Sequence, residues 1–62
     1  MLYYTYDGSF DGLLTCIYEV YYRKEIPEKI LPKEDYERNL LSKEVYIDTD
    51  EEKAKRVYNS IK

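Results

Sequence analysis

The sequence predicts a small α/β domain (a compact α+β unit) of β-α-β-α order, and three observations carry that reading. Residues Leu2–Tyr6 and Glu44–Asp48 are rich in aromatic and β-branched residues that alternate. The segment Phe10–Lys24 carries apolar residues at 10, 13, 14, 17, 20 and 21, the spacing of an amphipathic helix. Thr49-Asp50-Glu51-Glu52 then spells a capping box ahead of a second stripe at Ala54, Val57, Tyr58 and Ile61.

The first strand, Leu2–Tyr6, sets Leu2, Tyr4 and Tyr6 on one face and Tyr3 and Thr5 on the other. It stops at the turn signal Asp7-Gly8, and Ser9 is placed to cap the first helix. Arg23 and Lys24 fall in the last turn of that helix, where positive charge suits the dipole. Glu25–Pro32 reads as a connector, since Pro27 and Pro32 bias the residues before them away from helix. Lys33–Leu41 is equally open to a short helix, with Tyr36 and Leu40 four apart, and to a loop. The second strand follows at Glu44–Asp48, and Thr49 is placed to cap the second helix. Two strands joined through a helix pair in parallel with a right-handed crossover, so the expected core is a two-stranded parallel sheet packed on two helices. Within it, Leu13, Leu14, Ile17, Val57 and Ile61 are expected to be buried, with Tyr4, Tyr6, Tyr21 and Tyr58 facing inward.

The chain has 62 residues, a single cysteine and no histidine. One domain is the most it can form, and no disulfide or soft-ligand zinc site can brace it. The lone thiol and the absence of a signal-like or membrane-spanning apolar run point to the cytoplasm and away from membranes. Two-stranded parallel sheets normally want more cover, and Lys62 falls inside a helical pattern. Both suggest the N-terminal piece of a longer protein.

Net charge is −3. The first third carries acids only, and every later basic residue is interleaved with acids. Phosphate-backbone binding needs clustered cations, so nucleic acid is expected as an indirect partner at most. Nine of the ten aromatic residues are tyrosine. Tyr3, Tyr18, Tyr22 and Tyr46 lie off the expected core and are candidates for a protein contact surface.

Asp7-Gly8-Ser9-Phe10-Asp11-Gly12 is the stretch closest to a site. A strand end, a glycine turn and a helix start offer backbone N–H groups to an anion, which makes Asp7, Gly8, Ser9, Asp11 and Gly12 a candidate ligand loop. Two aspartates in the loop repel anions, the glycine spacing fits neither a P-loop nor a dinucleotide fingerprint, and two carboxylates are too few for a hard cation. A turn and helix cap account for it better. Cys16 has no histidine to make it a thiolate and reads as a small buried hydrophobe. No catalytic residues, metal ligands or cofactor motif can be assembled.

The ordered string Tyr6-Asp7-Gly8-Ser9-Phe10-Asp11-Gly12-Leu13-Leu14-Thr15 resembles the opening of a bacterial family of unknown function described as DNA-metabolism proteins. The likeness continues through Tyr22–Ile30 and returns at Thr49–Ala54 and Arg56-Val57-Tyr58. Members of that family are several times longer and often have Glu where this chain has Asp11. Their gene context links them to a radical SAM protein, and some are fused to a uracil-DNA-glycosylase-like domain. The resemblance implies a non-catalytic N-terminal domain of a DNA-metabolism or repair protein, packing on the rest of its chain or on a protein partner such as the radical SAM protein. Two rival expectations are a nucleic-acid-binding module and part of an active site completed by residues beyond 62.

Overall fold

The computed structural model describes residues 1–37 and 40–61. Its elements are β1 (Leu2–Tyr6), α1 (Phe10–Arg23), β2 (Lys29–Pro32), a 3-10 turn (Lys33–Asp35), β3 (Lys43–Tyr46) and α2 (Glu51–Ile61). The sheet is three-stranded in the order β2-β1-β3, and both pairings of β1 are parallel.

The third strand corrects the expected two-stranded sheet. Lys29-Ile30-Leu31-Pro32 lies in the proline-punctuated segment that reads as a connector, where Pro27 and Pro32 disfavour helix and no alternation marks a strand. Proline is nevertheless tolerated on an edge strand, because an outward-facing missing N–H breaks no ladder bond. β2 is such an edge. Tyr4 and Thr5 of β1 are fully buried, so the backbone of β1 needs partners on both sides. Ile30 and Val45 flank Tyr4 in register on either side and pack against the core.

The core forms on the α1 face of the sheet. Tyr4, Tyr6, Cys16 and Ile47 are buried together, with Leu2, Leu13, Val20, Ile30 and Val45 packed around them. The opposite face is covered by the segment that returns from β2 to β3. There Tyr36 meets Tyr3 edge-on, with ring centroids 5.6 Å apart. Thr5 donates its hydroxyl to Glu44 at 2.7 Å, and Lys33 pairs with the same carboxylate. Of the short helix open at Lys33–Leu41, the described residues form only the 3-10 turn Lys33–Asp35 and no α-helix. After the 3-10 turn Tyr36 is already extended, and Leu40 and Leu41 are exposed. Tyr36 is held by the sheet face, so it shares no buried stripe with Leu40. The remaining residues of the expected helix, Arg38 and Asn39, lie outside the described residues.

The helix starts are also sorted out by their hydrogen bonds. Ser9 caps α1 as expected, accepting from the Gly12 N–H at 2.9 Å. α2 is capped by Asp50, not Thr49: Asp50 Oδ1 accepts from the N–H groups of Glu52 and Lys53, and its carbonyl accepts from Ala54. The N-cap thus lies one residue later than expected, with Lys53 rather than Glu52 at N3, and the Thr49 hydroxyl is engaged with Asp7 instead. α1 ends at Lys24, which takes the left-handed conformation with φ 54°.

Which faces of the helices are buried differs most from the expectation. α1 turns Gly12, Leu14, Thr15, Cys16 and Glu19 inward, while Ile17 is 37% and Tyr21 86% exposed. Ile61 is 70% exposed, Tyr58 is exposed, and Ala54 is the buried residue of α2. Apolar side chains run most of the way around α1, so periodicity fixes that it is a helix without fixing its rotation. Contact with α2 along Gly12, Thr15 and Glu19 chooses the rotation.

Candidate functional site

Both helix starts lie near the C-terminal end of β1 and are tied there by one carboxylate. Asp7 Oδ1 accepts from the backbone N–H of Ser9 at 2.9 Å and from its hydroxyl at 2.6 Å. Asp7 Oδ2 accepts from the Thr49 hydroxyl at 2.9 Å. These bonds, the Ser9 hydroxyl first, hold the Asp7 carboxyl below its ordinary value. Gly8 makes the turn possible with φ +89°, a conformation that side chains resist. Gly12 is closed in: a Cβ there would stand 2.6 Å from Asp7 Oδ1 and 3.0 Å from both the Ser9 and Thr49 hydroxyl oxygens.

Of the candidate ligand loop, the structure therefore brings Asp7, Ser9 and Gly12 together, with Thr49 as a fourth member that the sequence reading had assigned to a cap. Asp11 stands outside and exposed; its carbonyl accepts from Thr15. The loop's donors and acceptors are turned on one another. The Asp7 carboxylate stands beside the Ser9 hydroxyl that caps α1, where it repels an incoming anion.

Deeper along the same helix pair, Glu19 joins α1 to α2. Its side chain is largely buried and takes Arg23 through one oxygen at 3.0 Å and Lys53 through the other at 3.1 Å. Hydrogen bonding to Glu19 raises the Lys53 pKa. Thr15, also buried, accepts from the Asp50 N–H at 3.1 Å. Cys16 is fully buried, and burial, with lesser help from Asp7 and Glu19, pushes its thiol up to about 11. At neutral pH it is a protonated core side chain with no nucleophilic character. Among the described residues no group of three or more Asp, Glu or Cys side chains is disposed to hold a metal ion.

The four tyrosines of the expected contact surface fall in two places. Tyr3 and Tyr46 lie on the sheet face away from α1: Tyr3 packs on Tyr36, and the Lys33 ammonium lies 5.9 Å from the Tyr46 ring centroid. Tyr18 and Tyr22 lie on α1, stacked with centroids 5.9 Å apart and planes 14° from parallel. The Lys53 ammonium sits 5.4 Å from the Tyr18 centroid.

Tyr18 and Tyr22 belong to an open groove of about 700 Å³ between α1 and α2, completed by Ile17, Tyr21, Arg56, Val57, Ser60 and Ile61. Sequence reasoning missed this groove because it placed Ile17, Tyr21, Val57 and Ile61 in the core. The available signal was the excess of apolar positions on α1 over what one buried face can absorb. No family model, curated protein or solved structure matches the chain. No helix among the described residues is long and apolar enough to cross a membrane.

Proposed function

We propose that this chain is a non-catalytic protein-contact domain of a DNA-metabolism or repair protein, packing through the α1–α2 groove on another protein surface. The observation that carries the contact role is the groove itself. Tyr21, Tyr22 and Ile61 are exposed together on one side of the helix pair, beside Ile17 and Val57. Aromatic residues joined to aliphatic ones in one concave patch are the composition of a protein interface. The DNA-metabolism setting is supported by the sequence resemblance alone.

The rival readings have less to stand on. The candidate ligand loop spends its polar groups on itself. Stacked Tyr18 and Tyr22 offer ring faces of the kind that bases use, but the chain is acidic overall. A labelled single-stranded or duplex DNA titrated with the chain at about 150 mM salt should show no saturation below the micromolar range. A photo-crosslinking phenylalanine analogue in place of Tyr22, used in the cell of origin, should join to polypeptide. Sub-micromolar DNA affinity, or crosslinks to nucleic acid only, would overturn the proposal.

A further inference from the structure

We infer that the α1–α2 groove takes a single amphipathic helix of another polypeptide, with apolar anchors one turn apart and carboxylates flanking them. The identity of this occupant rests on the protein-contact reading above and goes beyond it in naming the chemistry that the groove selects.

The groove's dimensions set the form of the occupant. Its walls run from Ile17 to Tyr22 on α1 and from Arg56 to Ile61 on α2. Six residues of helix are about 9 Å long, which accommodates two anchors spaced i and i+3 or i+4 and little more. The exposed apolar area agrees. Tyr21 is 86% and Tyr22 74% exposed; at roughly 150–250 Å² per aromatic side chain the pair leaves about 240–400 Å² uncovered. With Ile61 added, the patch is of the size that monomers expose at functional surfaces. One helix laid into the groove suits that area, and the mode is a common one.

Charge decides between partners. Arg56 is the one charged side chain lining the groove among the described residues, and it makes no ion pair among them. The Lys53 ammonium stands at the Tyr18 end of the groove. Among the described residues no carboxylate lines the walls. A second copy of this chain, docked about a two-fold axis, would meet the same patch and set Arg56 toward its own counterpart, Lys53 being already held by Glu19. A helix with Glu or Asp beside its anchors instead gains a partner for Arg56 and excludes basic competitors.

The test uses the 62-residue chain and two fluorescein-labelled peptides of about 16 residues, long enough to hold a helix. Both carry leucines at i and i+4; one has glutamates flanking them and the other lysines at the same positions. The acidic peptide should bind saturably and about ten-fold or more tighter than the basic one. Arg56→Gln should erase most of that preference, Arg56→Glu should reverse it, and Tyr22→Ser should weaken both peptides. Circular dichroism establishes that each variant is folded, and Arg56→Gln carries the charge test should Arg56→Glu unfold beside Glu52. The inference is overturned by no saturable binding, by equal binding of the two peptides, or by a preference that survives Arg56→Gln. Sedimentation showing a dimer at the titration concentrations overturns it as well. If neither peptide binds while Tyr22 still crosslinks to protein, the helical occupant falls and the protein-contact reading stands. Crosslinks to nucleic acid alone remove that reading itself.

Discussion

Thr49 gives its hydroxyl to Asp7, 42 residues away in sequence, Oγ1 to Oδ2 at 2.9 Å, and so fastens together the two helix starts. The same carboxylate holds Ser9 through its other oxygen. Strand β1, helix α1 and the entry to α2 thus share one ionised group at their junction.

That junction makes stability depend on pH in a defined direction. The Asp7 carboxyl sits below its ordinary value of 3.8 because the Ser9 hydroxyl and N–H and the Thr49 hydroxyl all donate to the ionised form. The unfolded chain therefore takes up the proton first as pH falls. The contribution of Asp7 is fully present above about pH 4 and is lost as pH drops toward its lowered folded value. Urea midpoints measured from pH 6 down to about pH 3 should fall less steeply for Asp7→Asn than for the wild-type chain. Parallel curves would show that Asp7 is not held as described.

Gly12→Ala should destabilise the domain by about 1–3 kcal/mol, although replacing glycine by alanine inside a helix ordinarily stabilises it. The reversal comes from the 2.6 Å approach of the added Cβ to Asp7 Oδ1, with Ser9 and Thr49 closing the remaining directions. Gly8→Ala has room, Pro32 Cβ standing 3.8 Å from the added Cβ, and is strained by its φ of +89° instead. It should cost roughly 1–2 kcal/mol. Denaturant unfolding of both variants checks the pair, and a stabilised Gly12→Ala would contradict the tight packing.

The core and the groove should respond in opposite ways to truncation. Leu14 is 4% exposed, and Leu14→Ala should cost about 2–5 kcal/mol, enough to unfold so small a domain. Ile61→Ala and Tyr21→Ala remove side chains that already face solvent and should stay within about 0.5 kcal/mol of wild type. Equal losses at Leu14 and Ile61 would mean that α2 is seated differently.

These contrasts mark where sequence reasoning reaches its limit. β1, α1 and the course of α2 were legible because alternation and helical spacing are local properties of the chain. Ser9 as a cap was legible for the same reason. β2 was hidden because Lys29-Ile30-Leu31-Pro32 is a strand only by virtue of lying beside β1, with Pro32 at an edge. The rotation of α1 was hidden because its apolar positions exceed one face, and the choice of Cys16 over Ile17 and Tyr21 is made by packing beside Tyr4, Tyr6 and Ile47 together with the Thr15 and Glu19 contacts to α2. Asp7 and Gly12 were singled out from sequence, whereas their link to Thr49 depends on how α2 docks. The groove was invisible for the reason that hid the rotation: its residues were spent on an imagined core.

Cys16 should be inert in the folded chain. Its thiol is fully buried and pushed up to about 11, so at pH 8 little of it is thiolate and none of it is accessible. Reaction with a thiol reagent should be slow in buffer, become fast in denaturant, and accelerate in variants such as Leu14→Ala in proportion to their unfolded population. Rapid stoichiometric labelling of the native chain would place Cys16 outside the core.

The cap of α2 should prove separable from the Asp7–Thr49 link, whereas the Ser9 hydroxyl both caps α1 and donates to Asp7. Ser9 accepts from Gly12 N and Asp50 accepts from Glu52 N and Lys53 N. Each removes orphan donors of a first turn, so Ser9→Ala and Asp50→Ala should each cost about 0.5–2 kcal/mol. Thr49 caps nothing: its hydroxyl donates, and it donates to Asp7. Thr49→Val should therefore act through the carboxylate, raising the Asp7 pKa toward its ordinary value and flattening the acid limb of the stability profile. At neutral pH, Thr49→Val and Asp7→Asn should be non-additive, because either change breaks the same bond. A double-mutant cycle in urea at pH 7 and pH 3.5 tests all of this at once. Full additivity of Thr49→Val with Asp7→Asn, or a Thr49→Val acid limb identical to wild type, would return Thr49 to the role of a cap and leave Asp7 serving α1 alone.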